Sequence, residues 1–322
     1  MKSLTEIQAI VSDEIGNVNL SMEPQGLYAP IEYTLKQGGK RIRPCLTLLA
    51  CGLYDEDVYK SVNAALGLEI FHNFTLLHDD IMDKADVRRG QPTVHKKWDE
   101  NTAILSGDVM QIVAYEYICK VPEKYLLRVL NAFSKMAKEI CEGQQYDMEF
   151  ESRNDVTSDE YLDMIRLKTA VLLGTALQIG AWIGGADDKD AQNLYDFGIN
   201  IGLAFQLKDD WLDVYGDEKV FGKKIGGDIS CNKKTYLLTE ALKMSAGQDA
   251  DELSQWLNTN PCEEKIAAVT NLYNKLGAKD ACESKMDFFY NQALAYLNKV
   301  SVTDEKKTEL RKLAQNLILR QD

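Results

Sequence analysis

Residues 62–83 read VNAALGLEIFHNFTLLHDDIMD and predict one long helix that ends in an acidic motif. Apolar side chains recur there every three or four residues, at Val62, Leu66, Ile70, Phe74 and Leu77. This spacing is the period of a helix and not the alternation of a strand. The same period returns over residues 162–177, and no strand-like run of useful length occurs in the chain. The sequence therefore predicts an all-α protein.

Glycine pairs and prolines divide the chain into about ten or more helices. The breaks fall near residues 38–39, 90–92, 121–122, 184–185, 226–227 and 258–261. No low-complexity linker or shift in composition separates these segments. Residues 1–322 are therefore interpreted as a single all-α domain, a bundle of helices around a shared core.

The helix of residues 62–83 ends in three acidic residues, Asp79, Asp80 and Asp83. At about 3.6 residues per turn, Asp79 and Asp83 lie on one face with Asp80 beside them, so the three carboxylates converge. Like charges at this spacing repel each other, and we expect a positive partner. A single triplet of this kind also fits a solvated acidic helix face.

A second triplet with the same offsets, Asp209, Asp210 and Asp213, stands in FQLKDDWLD after another apolar helical run. Two copies favour a binding site, because each acidic stripe would otherwise interrupt a buried face. All six side chains offer hard oxygen ligands without a His or Cys cluster, which favours Mg²⁺ or Mn²⁺ over zinc. Since Mg²⁺ bridges one or two carboxylates to phosphates, the triplets predict a diphosphate held between helices by metal ions.

Cationic side chains precede and follow the first triplet. The segment GGKRIRP at residues 38–44 places Lys40 and Arg43 between a glycine pair and a predicted helix start, where anions are readily bound. Arg88 and Arg89 follow the first triplet closely. His72 lies seven residues before Asp79, on nearly the same helix face, which makes it a candidate ligand.

Further positive charge comes from Lys168 and from four lysines that bracket residues 226–228, namely Lys223, Lys224, Lys233 and Lys234. Each lysine taken singly is more typical of a solvated surface than of a binding site.

The composition excludes several classes of protein. Fifty acidic against 37 basic residues give a formal net charge of −13, which argues against general nucleic-acid binding. Apolar stretches are interrupted before the roughly 20 residues that span a bilayer, so no membrane span is expected. Residues 1–17 predict an amphipathic helix and not a signal peptide, and seven cysteines without a C-x-x-C pair indicate reduced, mostly buried thiols. These features predict a cytoplasmic protein.

Together, the motifs resemble those of the trans (head-to-tail) isoprenyl diphosphate synthases, the polyprenyl synthetase group. The resemblance runs from about residue 28 to the C-terminus and rests on GGKRIRP, LLHDDIMD with the following RRG, KT at residues 168–169, and FQLKDDWLD with the following GK. One acidic motif would be unspecific, since terpene cyclases share it, whereas the pair with GGKRIRP is specific.

This resemblance implies the isoprenoid synthase fold, an all-α bundle around a deep central cavity. It also implies a homodimer that condenses isopentenyl diphosphate with an allylic diphosphate, such as the dimethylallyl, geranyl or farnesyl ester. A leaving diphosphate neutralised by metal ions and cations would leave an allylic cation, which the isopentenyl alkene attacks. The departed diphosphate would remove the proton, and water must be excluded.

The resemblance further implies roles for individual residues. About three Mg²⁺ ions would be bound by Asp79, Asp80, Asp83, Asp209, Asp210 and Asp213. The allylic diphosphate would contact Arg88, Lys168, Lys233 and either Lys223 or Lys224, and the isopentenyl diphosphate would contact Lys40, Arg43, His72 and Arg89. The allylic cation would be stabilised by the carbonyl of Lys168, with Thr169 and Gln206, so that these three and Asp79, Asp80 and Asp209 form the catalytic set.

Product length in this family depends on the bulk that precedes the first acidic motif. Phe74 and Thr75 stand five and four residues before Asp79, with Phe71 about one turn further away. Phe74 with the smaller Thr75 is similar to the pattern of archaeal geranylgeranyl synthases. The resemblance therefore implies farnesyl or geranylgeranyl diphosphate and does not separate the two.

Three other functions fit parts of the pattern. A terpene cyclase shares the first motif but ordinarily carries an Asn/Ser/Glu metal motif in place of the second. A non-catalytic partner subunit of a prenyl synthase usually lacks one acidic motif, and both motifs are intact here. A magnesium-dependent phosphohydrolase would not need the cations Lys40 and Arg43.

Overall fold

The computed structural model describes residues 2–217 and 225–319 and confirms the all-α prediction. Its α-helices are α1 (Leu4–Gly16), α2 (Gln25–Lys36), α3 (Ile42–Gly52), α4 (Val62–Met82), α5 (Val94–Lys97), α6 (Glu100–Ile118), α7 (Glu123–Ser152), α8 (Ser158–Ile165), α9 (Val171–Gly184), α10 (Asp188–Tyr215), α11 (Gly227–Ser230), α12 (Tyr236–Met244), α13 (Gln248–Leu257), α14 (Glu263–Leu276), α15 (Ala278–Lys299) and α16 (Asp304–Leu319). A 3₁₀ turn, Val58–Ser61, precedes α4, and a π-helical turn, Arg166–Ala170, joins α8 to α9. Every predicted break falls between two helices.

The helix starts follow local capping chemistry. Ser3 and Glu6 form a capping box at the start of α1, and Thr157 and Glu160 form another at the start of α8. Each box satisfies backbone N–H groups that have no partner within the first helical turn. The helices therefore begin where the sequence supplies side-chain acceptors.

A two-stranded antiparallel hairpin, β1 (Val87–Arg88) and β2 (Gln91–Pro92), follows α4. Its two loop residues, Arg89 and Gly90, have φ angles of 52° and 73°, the type I′ geometry that matches the twist of paired strands. The sequence could not predict these strands, because two residues are too few to show an alternation. Arg88 lies in β1 and Arg89 lies in the hairpin loop, so these two consecutive arginines contact different partners.

The chain divides into two compact units. The first unit consists of Met1–Ser134, Thr175–Tyr195 and Val300–Leu310. Within it, α4 packs mainly against α3 and α6. Gly67 permits the approach of α6, because a Cβ at this position would lie 2.9 Å from the carbonyl oxygen of Ala114.

The second unit consists of Lys135–Gly174, Asp196–Lys299 and Arg311–Asp322. Its core includes the buried side chains Tyr161, Leu207, Leu237, Leu253 and Val269. Both units have apolar cores, and the single domain with a central cavity stays a prediction.

One helical run, Ser158–Gly184, is long and apolar enough to cross a membrane, contrary to the expectation that no stretch would qualify. It comprises α8, the π-helical turn and α9. Of its most apolar 18-residue window, 72% is buried inside the protein, as in the core helix of a soluble protein. Its apolar character is thus explained by packing.

The seven cysteines of the chain form no disulfide within the described residues, as predicted. Cys45, Cys51 and Cys282 are buried, whereas Cys119, Cys141 and Cys231 are exposed. The expectation that most thiols are buried was therefore wrong.

Candidate functional site

The first acidic motif stands at the C-terminal end of α4. Asp79 and Asp80 lie in the last turn, and Asp83 is the exposed C-cap residue. The backbone N–H of Ala85 donates to the carbonyl oxygen of Asp80 at 2.9 Å, and the buried Thr93 donates through its hydroxyl to the carbonyl of Ala85 at 2.7 Å. These bonds fold the hairpin back on the end of α4.

Arg88 is the positive partner that the first motif was expected to have. Its Nε donates to Asp80 Oδ1 at 2.7 Å, and its Nη2 lies 3.7 Å from Asp79 Oδ2. Burial raises the pKa of Asp80 above its usual range, and the charge of Arg88 partly offsets this. A small pocket is lined by Asp80, Arg88, Arg89 and Asn73, among others.

Arg89 turns toward the glycine pair of GGKRIRP. Its Nη1 donates to the carbonyl oxygen of Gly38. Gly39 has a φ of 127°, and a Cβ there would lie 2.9 Å from Cζ of Arg89, so the loop requires glycine at this position. Lys40 follows in the same loop, beside a cleft of about 600 Å³ that Lys40 and Arg41 help to line.

His72 and Arg43 share a strongly positive environment. Burial, followed by the charges of Arg43, Arg89, Arg88 and Arg41, holds the pKa of His72 well below its usual value. Burial also lowers the pKa of Arg43 to about 10, an effect that Glu69 opposes. The buried Nε of Arg43 makes no hydrogen bond with the described residues. A neutral imidazole among four guanidinium groups is a ready site for a polyanion.

Sequence reasoning missed the carboxylate that balances this cluster. Glu69 is 2% exposed and accepts from Nη1 of Arg41 at 2.5 Å. Asn73, which is fully buried, donates through Nδ2 to Glu69 Oε1 at 2.9 Å and accepts from Arg89 Nη1 at 3.4 Å. The sequence signal was a pair of polar residues four apart within an apolar helix, which the helix period brings to one face.

The second acidic motif lies near the C-terminal end of α10, in the second unit. Asp210 is 3% exposed, accepts from the hydroxyl of the buried Tyr161, and accepts from Nε2 of Gln206 at 3.3 Å. Thr169 donates to Oε1 of Gln206 at 3.2 Å. Thr169 and Gln206, two of the three residues predicted to stabilise the allylic cation, are thereby connected to Asp210 by hydrogen bonds.

A further carboxylate, Asp228, adds negative charge to this motif. Burial first, and then the charge of Asp228, raises the pKa of Asp210 to about 7 and that of Asp213 to about 6. The charge of Lys233 opposes both shifts. The backbone N–H of Asp228 donates to Asp213 Oδ2 at 2.9 Å. Asp228 carried no predicted role, although its GGD segment borders the lysines.

Lys168 and Thr169 lie on the π-helical turn. Lys168 Nζ donates to Asp147 Oδ2 at 2.6 Å, a contact that sequence reasoning missed. Gly202 of α10 permits close packing, since a Cβ there would lie 2.6 Å from Cα of Ala170. Single π-helical turns of this kind frequently mark functional sites, because they re-aim side chains and carbonyls.

Three further residues of the predicted set remain to be placed. Asp209 is half-buried in α10. Lys223 and Lys224 lie outside the described residues, so the assignment of one of them stays open.

The three predicted chain-length residues have different environments. Phe71 is fully buried and packs edge-on against Phe133, with the ring centroids 5.2 Å apart. Phe74 is 8% exposed and packs against Phe71 and His78, at 5.4 and 4.9 Å between centroids. Thr75 is half-buried and donates to the carbonyl oxygen of His72 at 2.8 Å. Phe74 thus anchors an aromatic cluster one turn before the first motif.

The carboxylates fit Mg²⁺ better than a metal held by protein ligands alone. Among residues 2–217 and 225–319, no three Asp, Glu, His or Cys side chains are grouped closely enough to hold an ion by themselves. Mg²⁺ is ordinarily bound by one or two carboxylates together with substrate phosphates and water. The crowded, like-charged carboxylates at Asp210 and Asp213 are the oxygen donors that such an ion requires.

Comparison with known proteins identifies relatives over the whole chain. The model of the family described as polyprenyl synthetase matches residues 24–276. A geranylgeranyl diphosphate synthase of Methanosarcina mazei is 39% identical over 306 residues, covering 92% of this chain and 91% of that protein.

Solved structures similar to this chain are also of prenyl diphosphate synthases. The crystal structure of a geranylgeranyl pyrophosphate synthase has a TM-score of 0.95 and 43% identity, with both chains covered completely. A geranylgeranyl pyrophosphate synthase from Corynebacterium glutamicum, complexed with isoprenyl diphosphate and magnesium, has a TM-score of 0.87 and 28% identity over 99% of this chain and all of that one.

Proposed function

Because this chain belongs to the polyprenyl synthetase family and is a short-chain trans-prenyltransferase, we propose that it condenses isopentenyl diphosphate with an allylic diphosphate at two anion sites formed by different cations. The observation that carries the proposal is the arginine cluster around His72, adjacent on α4 to the carboxylates of the first motif. Under this proposal, α4 carries His72 of a metal-independent anion site and, one to two turns later, the carboxylates of a metal-binding motif.

The isopentenyl diphosphate is assigned to Lys40, Arg43, His72 and Arg89. The buried Nε of Arg43, which has no hydrogen-bond partner among the described residues, supports this assignment. The pKa of His72 is lowered first by burial and then by the arginine charges, and the second cause shows that several cations lie near it. Arg forks bind phosphate through paired N–H donors, and the neutral imidazole adds one more hydrogen bond.

The allylic diphosphate is assigned to the acidic motifs and their neighbouring cations. Metal ions, about three Mg²⁺ with Mn²⁺ as the alternative, would be held by Asp79, Asp80, Asp83, Asp209, Asp210 and Asp213. When bound, the metal supplies positive charge that neutralises the leaving diphosphate and lowers the barrier to C–O ionisation. Arg88, Lys168, Lys233 and either Lys223 or Lys224 would add direct contacts.

The chain's dipoles then face the allylic cation. The carbonyl of Lys168, the hydroxyl of Thr169 and the amide oxygen of Gln206 stabilise positive charge without forming a covalent adduct. Thr169 already donates to Gln206, which donates to Asp210, so one hydrogen-bonded chain supports the orientations of the Thr169 hydroxyl and the Gln206 amide. The isopentenyl alkene attacks the cation, and the departed diphosphate accepts the proton.

The products are of the geranylgeranyl type, as the family relationships indicate. We propose that Phe74 limits the product to geranylgeranyl or farnesyl diphosphate, and its buried aromatic contacts support this role. Exposed apolar side chains on α6 support a homodimer, and the acidic composition with free thiols supports a cytoplasmic location.

The division between the two anion sites is tested by two variants. We expect Arg43→Gln to raise the KM for isopentenyl diphosphate by more than about tenfold, the effect of losing a charge-assisted hydrogen bond. Arg88→Gln should instead raise the KM for the allylic primer. Steady-state kinetics with each substrate varied in turn measures both constants. If either variant changed the KM for isopentenyl diphosphate and the KM for the allylic primer equally, the assignment of the two substrates to separate anion sites would be contradicted.

A further inference from the structure

The buried pair Glu69 and Asn73 connects α4 to the arginines of the isopentenyl site. The two residues stand four apart on α4, and Asn73 Nδ2 donates to both the carbonyl and the carboxylate of Glu69, at 2.8 and 2.9 Å. Neither side chain is more than 2% exposed. A buried amide and carboxylate are costly unless both are fully hydrogen-bonded, so their presence in an apolar helix calls for an explanation.

Glu69 and Asn73 accept hydrogen bonds from two different arginines. Glu69 Oε1 accepts from Arg41 Nη1 at 2.5 Å, and Arg41 Nη2 also donates to the carbonyl oxygen of Leu35 at 2.5 Å. Asn73 Oδ1 accepts from Arg89 Nη1, which also donates to the carbonyl of Gly38. Arg89 therefore lies between α4 and the loop that carries Lys40.

The amide of Asn73 is suited to this position because its two ends differ. Its NH₂ group faces the carboxylate and its oxygen faces the guanidinium, so the orientation is determined by the charges on both sides. Glu69 also opposes the lowering of the pKa values of Arg43 and Arg89. One buried anion thus reduces repulsion among several cations, while the amide restricts where Arg89 points.

We propose that Asn73, anchored by Glu69, is a positioning residue for isopentenyl diphosphate, because it fixes the Arg89 guanidinium between α4 and Gly38 so that its remaining donors are presented to the substrate. The inference rests on the proposed function, which assigns Arg89 to that substrate. Asn73 itself touches the arginine and not the reacting atoms.

The test uses the variant Asn73→Ala in the full-length protein with Mg²⁺. We expect the KM for isopentenyl diphosphate to rise roughly five- to tenfold, while the KM for the allylic primer and kcat stay within about twofold. Asn63→Ala is the matched control, because Asn63 lies on the same helix and bonds at the surface to the carbonyl of Lys120. The control should match wild type, and Asn73→Leu provides a second variant of similar volume if the alanine variant unfolds.

A double-mutant cycle separates positioning from general structure. If Asn73 acts through Arg89, adding Asn73→Ala to Arg89→Ala should not raise the KM for isopentenyl diphosphate further. Three results would overturn this inference while leaving the proposed function intact. They are additive effects of the two substitutions, equal changes in both KM values in Asn73→Ala, or a wild-type KM for isopentenyl diphosphate in an active Asn73→Ala variant. A wild-type protein that neither binds isopentenyl diphosphate in calorimetry nor elongates a primer would overturn the proposed function and this inference with it.

Discussion

At the scale of single residues, charge and burial determine the state of each candidate group. Burial first, and then the charges of four arginines, hold the pKa of His72 well below its usual value and favour the neutral imidazole. Asp210 and Asp213 show the opposite shift, because burial and Asp228 disfavour their charged forms. In both regions burial is the largest cause of the shift and favours the neutral form of the group.

The low pKa of His72 predicts how stability depends on pH. The unfolded chain protonates this histidine below about pH 6.5, whereas the folded chain does not, so the unfolded state gains stability as the pH falls. We expect this residue to reduce the free energy of unfolding by up to about 1.4 kcal/mol per pH unit below 6.5, and to have no effect above about pH 7.5. The variant His72→Gln should lose this dependence. Denaturant unfolding at pH 8 and pH 5.5 measures it, and parallel losses in both proteins would contradict the assignment.

Phe74 predicts the length of the product. Replacing its buried ring by a methyl group in Phe74→Ala removes bulk one turn before Asp79, and we expect longer prenyl products. Loss of the aromatic contacts should also lower the free energy of unfolding by about 3 kcal/mol. Mass spectrometry of the products checks the first effect, with the half-exposed Phe288→Ala as a control. An unchanged product profile in Phe74→Ala would remove Phe74 from the chain-length role.

Residues that belong to repeated motifs could be predicted from the sequence. Residues whose roles depend on contacts formed only in the folded protein could not. The two acidic triplets and the paired arginines were visible because their spacing is local. Glu69, Asn73 and Asp147 bond to residues far away in the sequence, and such pairings depend on how helices pack. Asn73 in particular has no motif around it, and its meaning depends on the placement of Arg89 by the hairpin.

At the scale of elements, the π-helical turn Arg166–Ala170 positions Lys168 and Thr169. Sequence periodicity predicted a continuous helix over this run, and it had no means of finding the extra residue in the turn. The turn is accommodated by glycines on its neighbours, Gly143 on α7 and Gly202 on α10. Helix type at this point is therefore determined by packing and not by local propensity.

The variant Gly143→Ala tests the role of that packing. A Cβ at this position would lie 2.8 Å from Cα of Lys168, so the backbone of the turn must move. We expect a loss of about 1–3 kcal/mol in the free energy of unfolding together with slower elongation. Gly26→Ala on α2 is the control, because nothing lies within 4 Å of its added Cβ. Thermal unfolding and kcat measure both effects, and a fully active Gly143→Ala would show that the turn tolerates displacement.

At the scale of the whole molecule, the all-α fold followed from the helix period of the chain, and the helix breaks followed from glycine and proline. The unpredicted hairpin and the buried helical run Ser158–Gly184 show the limit of this reasoning, since both depend on contacts with other elements. The single domain and the oligomeric state stay predictions.

The exposed face of α6 predicts association of two copies. Leu105 and Ile112, 57% and 61% exposed, stand seven residues apart and share one face of the helix. We expect the wild-type protein to sediment as a dimer and the double variant Leu105→Lys/Ile112→Lys to sediment as a monomer. Tyr59→Lys, at another exposed position, should leave the dimer intact. A wild-type monomer at micromolar concentration would contradict the predicted homodimer.

The proposed prenyl transfer is tested most directly by incubating the purified protein with Mg²⁺, isopentenyl diphosphate and, in turn, dimethylallyl, geranyl or farnesyl diphosphate. Mass spectrometry then identifies the prenyl products. We expect geranylgeranyl or farnesyl diphosphate to accumulate as the final product. Absence of elongation with every primer would contradict the proposed prenyl transfer and would favour a non-catalytic partner subunit or a terpene cyclase.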